Sequence, residues 1–153
     1  MEKVDQKFKL KKMKYAIVNI KILFVSMILL KDIILKNISV AGGIFDSLLM
    51  ISKDLLIITG KNIISIININ SYNLIKTINV DNSGSINVAC MLNKDMILTG
   101  DQNKRIIQWK FENDNLKLIS KKENAHDNEI NTIEKLGNGL ILSGSGDKSV
   151  KIW

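Results

Sequence analysis

Aliphatic runs and short polar turns alternate along most of the chain, and the alternation repeats. Each unit has an aliphatic run, a Thr or Ser followed by Gly, a polar turn, and a second run rich in β-branched residues. The marker glycines Gly60, Gly100 and Gly144 stand 40 and 44 residues apart, a period that indicates a repeat architecture. The three units are KDLLIITGKNIISIINI (53–69), KDMILTGDQNKRIIQWKF (94–111) and NGLILSGSGDKSVKIW (138–153).

The aliphatic run of each unit predicts a strand that is buried on both faces, because it shows no polar alternation. The turn that follows uses Gly, Asp, Asn and Ser, which tolerate positive φ or hydrogen-bond their own backbone. A further strand precedes two of the units, at Ile86–Ala89 and Ile130–Ile133. An all-β pattern within this period predicts propeller blades. The predicted middle strands are Leu55–Ile58, Met96–Leu98 and Leu140–Leu142.

The segment AHDNEINTIEKLGNGLILSGSGDKSVKIW, residues 125–153, closely resembles a WD40 repeat. Ala125-His126 stands in place of the usual Gly-His pair, an S-G-S-x-D turn follows, and V-K-I-W closes the segment. Residues 86–121 match less well and residues 47–78 only in outline, with Ile67 where the tryptophan would fall. The resemblance implies a structural tetrad in which an indole N–H, a hydroxyl, a histidine and an aspartate bond in series. Its members are His126, Ser143, Asp147 and Trp153.

The earlier repeats depart from this pattern. The second keeps Thr99 and Trp109, but Asn103 replaces the aspartate and Asn82 falls where the histidine should be. The first keeps only Thr59. The expected fold is therefore all-β, a partial, unclosed WD40-type β-propeller of about three four-stranded blades, the last without its outer strand. The predicted repeats are 47–81, 82–125 and 126–153, and we expect them to be a fragment of a longer propeller protein.

The amino-terminal third predicts little regular repeat structure. Residues 1–14 form a basic leader for which we expect disorder, with six lysines and a net charge of +4 out of +7 for the whole chain. Residues 15–46 are apolar and predict irregular strands or a degenerate blade. The longest run there without a charge or Asn, Ile22–Leu30, has nine residues, against roughly 20 for a transmembrane helix. A signal peptide is the weaker alternative, so we expect a cytoplasmic or nuclear protein without a transmembrane span.

Candidate chemistry is sparse. Ser143, His126 and Asp147 could form a hydrolase triad, but no nucleophile-elbow pattern surrounds the serine and the tetrad explains the same residues. One His and one Cys, Cys90, do not make a metal site, and the sequence has no Walker-type loop, so we expect neither a metal nor a cofactor. The cysteine lies in an apolar stretch and predicts a buried hydrophobe.

The leading hypothesis is a non-enzymatic scaffold or adaptor that binds other proteins. Two alternatives stay open: a propeller that binds nucleic acid or phosphoinositide through its basic leader, and the propeller part of a larger enzyme. The resemblance implies that partners dock where loops enter the first strand of a blade and where the turn precedes its third strand. The candidate contacts, each of which could instead be an ordinary solvated loop residue, are Ser85, Asn87, Gln102, Glu129, Asn131 and Gly146.

Overall fold

The structure is a computed structural model, and it describes residues 38, 40, 44–81 and 84–153. The predictions for the leader 1–14, for strands within 15–35 and for Asn82 lie outside the described residues. Within the described part, no helix is long and apolar enough to cross a membrane.

The first sheet has four antiparallel strands in sequence order. Its turns are built by asparagine: Asn62 adopts a φ of 60°, and the side-chain oxygen of Asn68 accepts the N–H groups of Asn70 and Ser71. The strands are β1 (Phe45–Met50), β2 (Leu55–Gly60), β3 (Ile63–Asn68) and β4 (Asn73–Asn79).

The second sheet repeats this order with four further antiparallel strands. Asn113 and Asp114 both have positive φ, at 51° and 54°, as a two-residue hairpin turn requires. The strands are β5 (Ile86–Met91), β6 (Met96–Asp101), β7 (Ile106–Glu112) and β8 (Asn115–Lys122).

The third sheet has three strands, with β10 between β9 and β11. They are β9 (Ile130–Lys135), β10 (Ile141–Ser145) and β11 (Val150–Ile152). The described part of the chain is thus all-β, with three antiparallel sheets that do not close into a ring. This is the predicted partial propeller.

The sheets pack face to face, with their first strands adjacent: β1 contacts β5, and β5 contacts β9. We call the side of a sheet that carries Trp109, Trp153 or, in the first sheet, the matching residue Ile67 its tryptophan face, and the opposite side its far face. The far face of the first sheet packs against the tryptophan face of the second, and the far face of the second packs against the third. The first of these cores includes Ile57, Ile64, Ile66, Ile97, Ile107 and Trp109; the second includes Leu98, Ile130, Ile133 and Ile141.

The register corrects the predicted equivalence of the marker glycines. Val88 pairs with Gly100 and Thr132 pairs with Gly144, but in the first sheet the corresponding partner of Ser47 is Thr59. Gly60 therefore lies one residue out of phase, and Thr59 is not the counterpart of Thr99 and Ser143. The turn after β2 is shorter by one residue, because Thr59 pairs with Ile64 whereas Gly100 pairs with Ile106.

Ile58 is the residue that takes the place of Thr99 in the first sheet. Ile67 pairs with Leu56 as Trp109 pairs with Ile97, so Ile67 does stand at the tryptophan position. The polar hydroxyl–indole pair is thus replaced by two isoleucines. Thr59, on the opposite face, donates a 2.7 Å hydrogen bond from its Oγ1 to the carbonyl oxygen of Ile86 and so ties the first sheet to the second.

Candidate functional site

The third sheet brings its four tetrad residues into one chain of hydrogen bonds. Trp153 Nε1 donates to Ser143 Oγ at 2.9 Å, and that oxygen lies 2.7 Å from His126 Nε2. His126 Nδ1 lies 2.9 Å from Asp147 Oδ2. All the distances are satisfied when His126 carries its proton on Nδ1 and Ser143 donates to Nε2. This series of hydrogen bonds links the segment before β9, the strand β10, the turn after it and the residue that follows β11.

Asp147 is held by more than the histidine. Its Oδ1 accepts from Ser149 Oγ at 2.6 Å and from the Ser149 N–H at 2.8 Å, and its Oδ2 accepts from the Asp127 N–H at 2.9 Å. The Ser149 hydroxyl is the largest cause that holds the pKa of Asp147 well below its ordinary 3.8, with the two N–H groups and His126 adding to it. Asp147 is therefore ionised at neutral pH and fixes the orientation of His126.

The second sheet keeps half of this arrangement and replaces the other half. Trp109 Nε1 donates to Thr99 Oγ1 at 2.9 Å, as in the third sheet. The acid near the turn is Asp101, which pairs with Arg105: Arg105 Nε lies 2.7 Å from Oδ2, and the Arg105 N–H lies 3.0 Å from Oδ1. Both side chains are buried, and burial raises the pKa of Asp101 while Arg105 opposes that rise.

Asn103, predicted to take the place of the aspartate, is an exposed turn residue. Sequence reasoning missed Asp101 and Arg105. The sequence did contain a signal. In TGDQNKR an acid and a base, Asp101 and Arg105, stand four residues apart on either side of the turn, whereas SGSGDKS has serines at the two matching positions. Register places Asp101 opposite Ile86 as it places Ser145 opposite Ile130.

The six candidate contact residues lie at one end of the sheets, which we call the turn end. It comprises the turns that precede β3, β7 and β11 and the residues that lead into β5 and β9. Backbone hydrogen bonds join these parts. The Gln102 N–H donates to the Ser85 carbonyl at 2.8 Å, and the Gly146 N–H donates to the Glu129 carbonyl at 3.0 Å.

The side chains of these six residues differ in availability. Gln102, Asn131 and Gly146 are exposed, whereas Ser85, Asn87 and Glu129 are half-buried. Asn87 Nδ2 donates to the Ile130 carbonyl at 3.1 Å and so ties the second sheet to the third. Ser85 hydrogen-bonds the Asp46 carboxyl, and this bond opposes the rise in the pKa of Asp46 that partial desolvation causes. Ser85 and Asn87 therefore join neighbouring sheets, and the exposed candidates are Gln102, Asn131 and the Gly146 backbone.

Comparisons with known proteins identify the fold. No known family profile matches the sequence, and no curated protein matches it. Among solved structures, the chain is similar to the WD40 β-propeller domain of Doa1, with a TM-score of 0.67 and 16% identity over 76% of this chain and 39% of that one. It is also similar to a chain of the mitotic checkpoint complex, with a TM-score of 0.57 and 19% identity over 65% of this chain.

This chain spans 31% of the matched checkpoint-complex chain, so in both comparisons it corresponds to less than half of the known structure. The matches agree with the three unclosed antiparallel sheets described above. The described residues therefore have the WD40 β-propeller fold, in the form of three neighbouring blades.

Proposed function

We propose that this chain is a non-enzymatic WD40-type scaffold or adaptor of the cytoplasm or nucleus that binds other proteins through its turn end. The observation that carries the proposal is the set of hydrogen bonds that fix this end. In the second and third sheets a turn N–H bonds the residue before the first strand, and side chains of Thr59 and Asn87 bond the carbonyls of Ile86 and Ile130 in the next sheet. A surface fixed in this way loses little conformational freedom when a partner docks.

The buried position of Ser143 supports a structural role for the Ser–His–Asp set. The Ser143 side chain has 0% exposure, and its oxygen already accepts the indole N–H of Trp153. A nucleophile must reach a substrate carbon, and no substrate atom can approach this oxygen in the folded sheet. We therefore assign these residues to holding the turn end in place.

At the turn end, the charge distribution supports a protein partner over a nucleic acid. Residues 44–153 contain 13 Lys or Arg against 12 Asp or Glu, a net charge of +1, so most of the +7 of the chain lies in residues 1–43. Binding to a phosphate backbone needs a cluster of cations on the contact surface. The turn end has amide groups at Gln102 and Asn131 and a carboxylate at Glu129, groups that suit peptide hydrogen bonding.

Site-specific photo-crosslinking tests this proposal. A photoreactive phenylalanine analogue replaces Gln102 or Asn131 at the turn end in cells that make the protein, and Asn93 or Asn138 at the opposite end in matched controls. We expect discrete protein adducts from positions 102 and 131 and none from 93 or 138. Adducts of nucleic acid at the turn end, or equal protein adducts from both ends, would contradict the proposal.

A salt titration separates the classes of partner. Binding of a captured partner through amide contacts should change less than about threefold between 50 and 200 mM salt. A nucleic acid held by several phosphate contacts would weaken by roughly 10³ or more over that range. A steep loss of affinity with salt would favour the alternative function, nucleic-acid binding.

A further inference from the structure

The loop between β9 and β10 differs from the corresponding loops of the other two sheets. Each sheet joins its first two strands by three residues, at 52–54, 93–95 and 137–139, and the N–H before the loop bonds the carbonyl after it. The first two loops begin with Ser52 and Asn93, whose side chains each accept two backbone N–H groups. The third loop is Gly137-Asn138-Gly139, and Asn138 Oδ1 accepts the Leu140 N–H at 3.2 Å.

The backbone of this third loop requires a glycine directly after the asparagine. The Gly139 N–H donates to the Leu136 carbonyl at 3.0 Å, and Gly139 has a φ of 87°. This is a three-residue hairpin loop in which a tight turn is followed by a residue in the left-handed region. Glycine adopts that region without steric cost. The result is an Asn-Gly pair, and the sequence contains no other.

An Asn-Gly pair has a reaction of its own that needs only water. The Gly139 nitrogen attacks Cγ of the Asn138 side chain, the nitrogen loses its proton, and ammonia leaves as a five-membered cyclic imide closes. Water then opens the ring at one of its two carbonyl carbons. Cleavage of the new N–Cγ bond gives aspartate at position 138. Cleavage of the original peptide C–N bond gives isoaspartate, in which the main chain runs through the side-chain carbons.

The surroundings of Asn138 favour this reaction. Residues 137–140 are exposed, and no atom of the described residues lies within 4 Å of a Cβ built on Gly137 or Gly139. Because Gly139 has no side chain, nothing on the attacking residue crowds the ring as it closes. The attack requires release of the Gly139 N–H from the Leu136 carbonyl. This is a single bond in an exposed loop, of the kind that opens locally at low cost.

We propose that Asn138 is a site of spontaneous deamidation, and that its isoaspartate form separates the ends of β9 and β10. Isoaspartate adds one carbon to the main chain, so the 2.8 Å bond from the Leu136 N–H to the Leu140 carbonyl no longer fits the loop. Aspartate keeps the length of the main chain and an oxygen that accepts the Leu140 N–H. The site lies opposite the turn end, so it does not depend on the function proposed above.

Mass spectrometry of the full 153-residue chain tests the first part of this proposal. Trypsin releases residues 136–148, LGNGLILSGSGDK, in which Asn138 is the single side-chain amide. During incubation of the folded protein we expect this peptide to gain about 1 Da, the exchange of an amide for an acid. Two products should separate by chromatography. Conversion should be faster at alkaline than at acidic pH, because the attacking nitrogen must lose its proton.

The same digest contains a matched control. Asn103 is an exposed turn residue, and Lys104 after it has a φ of 68° and an N–H that donates to the Asp101 carbonyl at 3.3 Å. The backbone thus resembles that at Asn138, while the attacking residue carries a side chain. We expect slower conversion of Asn103, in the peptide 95–104, than of Asn138. Gly139→Asn, which also tolerates a positive φ, should slow conversion at position 138.

Equal conversion of Asn138 and Asn103 in the unchanged chain would overturn the assignment. Conversion of Asn138 that occurs in urea but not in the folded protein would overturn it as well. Thermal melts test the second part, on the isoaspartate form separated by chromatography and on the Asn138→Asp variant. We expect a lower melting temperature for the isoaspartate form than for Asn138→Asp, which should melt close to the unmodified chain. Equal melting of the two acidic forms would show that the hairpin accommodates the longer main chain, and would overturn that part.

Discussion

At the residue scale, Trp109 and Trp153 make the same bond in different surroundings. Each donates its indole N–H to a hydroxyl oxygen at 2.9 Å. Thr99 is 1% exposed. The Ser143 hydroxyl is also buried, but His126 bonds it as well. Loss of the indole therefore removes a close partner of Thr99 and one of two close partners of Ser143.

We expect Trp109→Phe to reduce the free energy of unfolding by about 1–3 kcal/mol, because the buried Thr99 hydroxyl loses its partner and the core between two sheets loses volume. Trp153→Phe should cost about 1 kcal/mol or less, since Ser143 keeps its bond to His126 and Trp153 is partly exposed. Urea melts followed by circular dichroism measure both. Equal losses would show that exposure does not distinguish the two sites.

The depressed pKa of Asp147 makes the third sheet sensitive to acid. Because the pKa is lower in the folded chain than its ordinary 3.8, ionised Asp147 stabilises the fold above that pH, and the stabilisation is lost as pH falls below it. We expect Asp147→Asn to lower the melting temperature at pH 7, and the gap to wild type to narrow below about pH 3.8. Asp114→Asn, in an exposed hairpin turn, is the control and should leave the melting temperature at pH 7 close to that of the wild type. A gap that stays constant with pH would contradict the assignment.

At the element scale, the strands and their order were predictable and the phase of one strand was not. Aliphatic runs between Asn- and Gly-rich turns identify β2, β6 and β10, because their side chains must be apolar on both faces. The Thr-Gly pair that both units share led us to align Gly60 with Gly100. The turn after β2 is one residue shorter, so the true alignment differs by one residue. The length of a turn depends on which residues of the two strands pair, and the sequence alone does not show that pairing. The buried Asp101–Arg105 pair was not predicted, because charged residues at this spacing around a turn are usually solvated.

The register gives Gly100 a steric role that can be measured. A Cβ at this position would lie 2.6 Å from Ile130 Cγ2 and 2.9 Å from Val88 Cγ1, so β6 and β9 could not approach as they do. We expect Gly100→Ala to destabilise the fold by about 1–3 kcal/mol through overpacking. Gly137→Ala is the control, with nothing within 4 Å of the added carbon, and should change stability by less than about 0.5 kcal/mol. Comparable denaturant midpoints for the two variants would show that the sheets can separate without cost.

At the scale of the whole molecule, the far faces of the three sheets differ in how much of their apolar surface is exposed to solvent. Ile64 and Ile66 on the first sheet are fully buried by the second, and Leu98 on the second is 4% exposed beneath the third. The matching positions of the third sheet hold Val150 and Ile152, which are 65% and 63% exposed. Leu142 lies on the same face, opposite Ile152. A contiguous apolar face of this kind favours association with another surface.

We therefore expect the 153-residue chain to self-associate through this far face at micromolar concentration. The double variant Val150→Thr, Ile152→Thr keeps β-branched side chains but adds hydroxyl groups, so it should lower static light scattering while the melting temperature stays within a few degrees. The control, Ile75→Thr with Ile119→Thr, replaces two β-branched aliphatic residues by threonine on the separate outer strands β4 and β8, and should scatter as the wild type does. Scattering that falls equally in both variants would mean that total apolar exposure drives association. If light scattering shows that the wild type is monomeric, the third sheet tolerates an exposed apolar face.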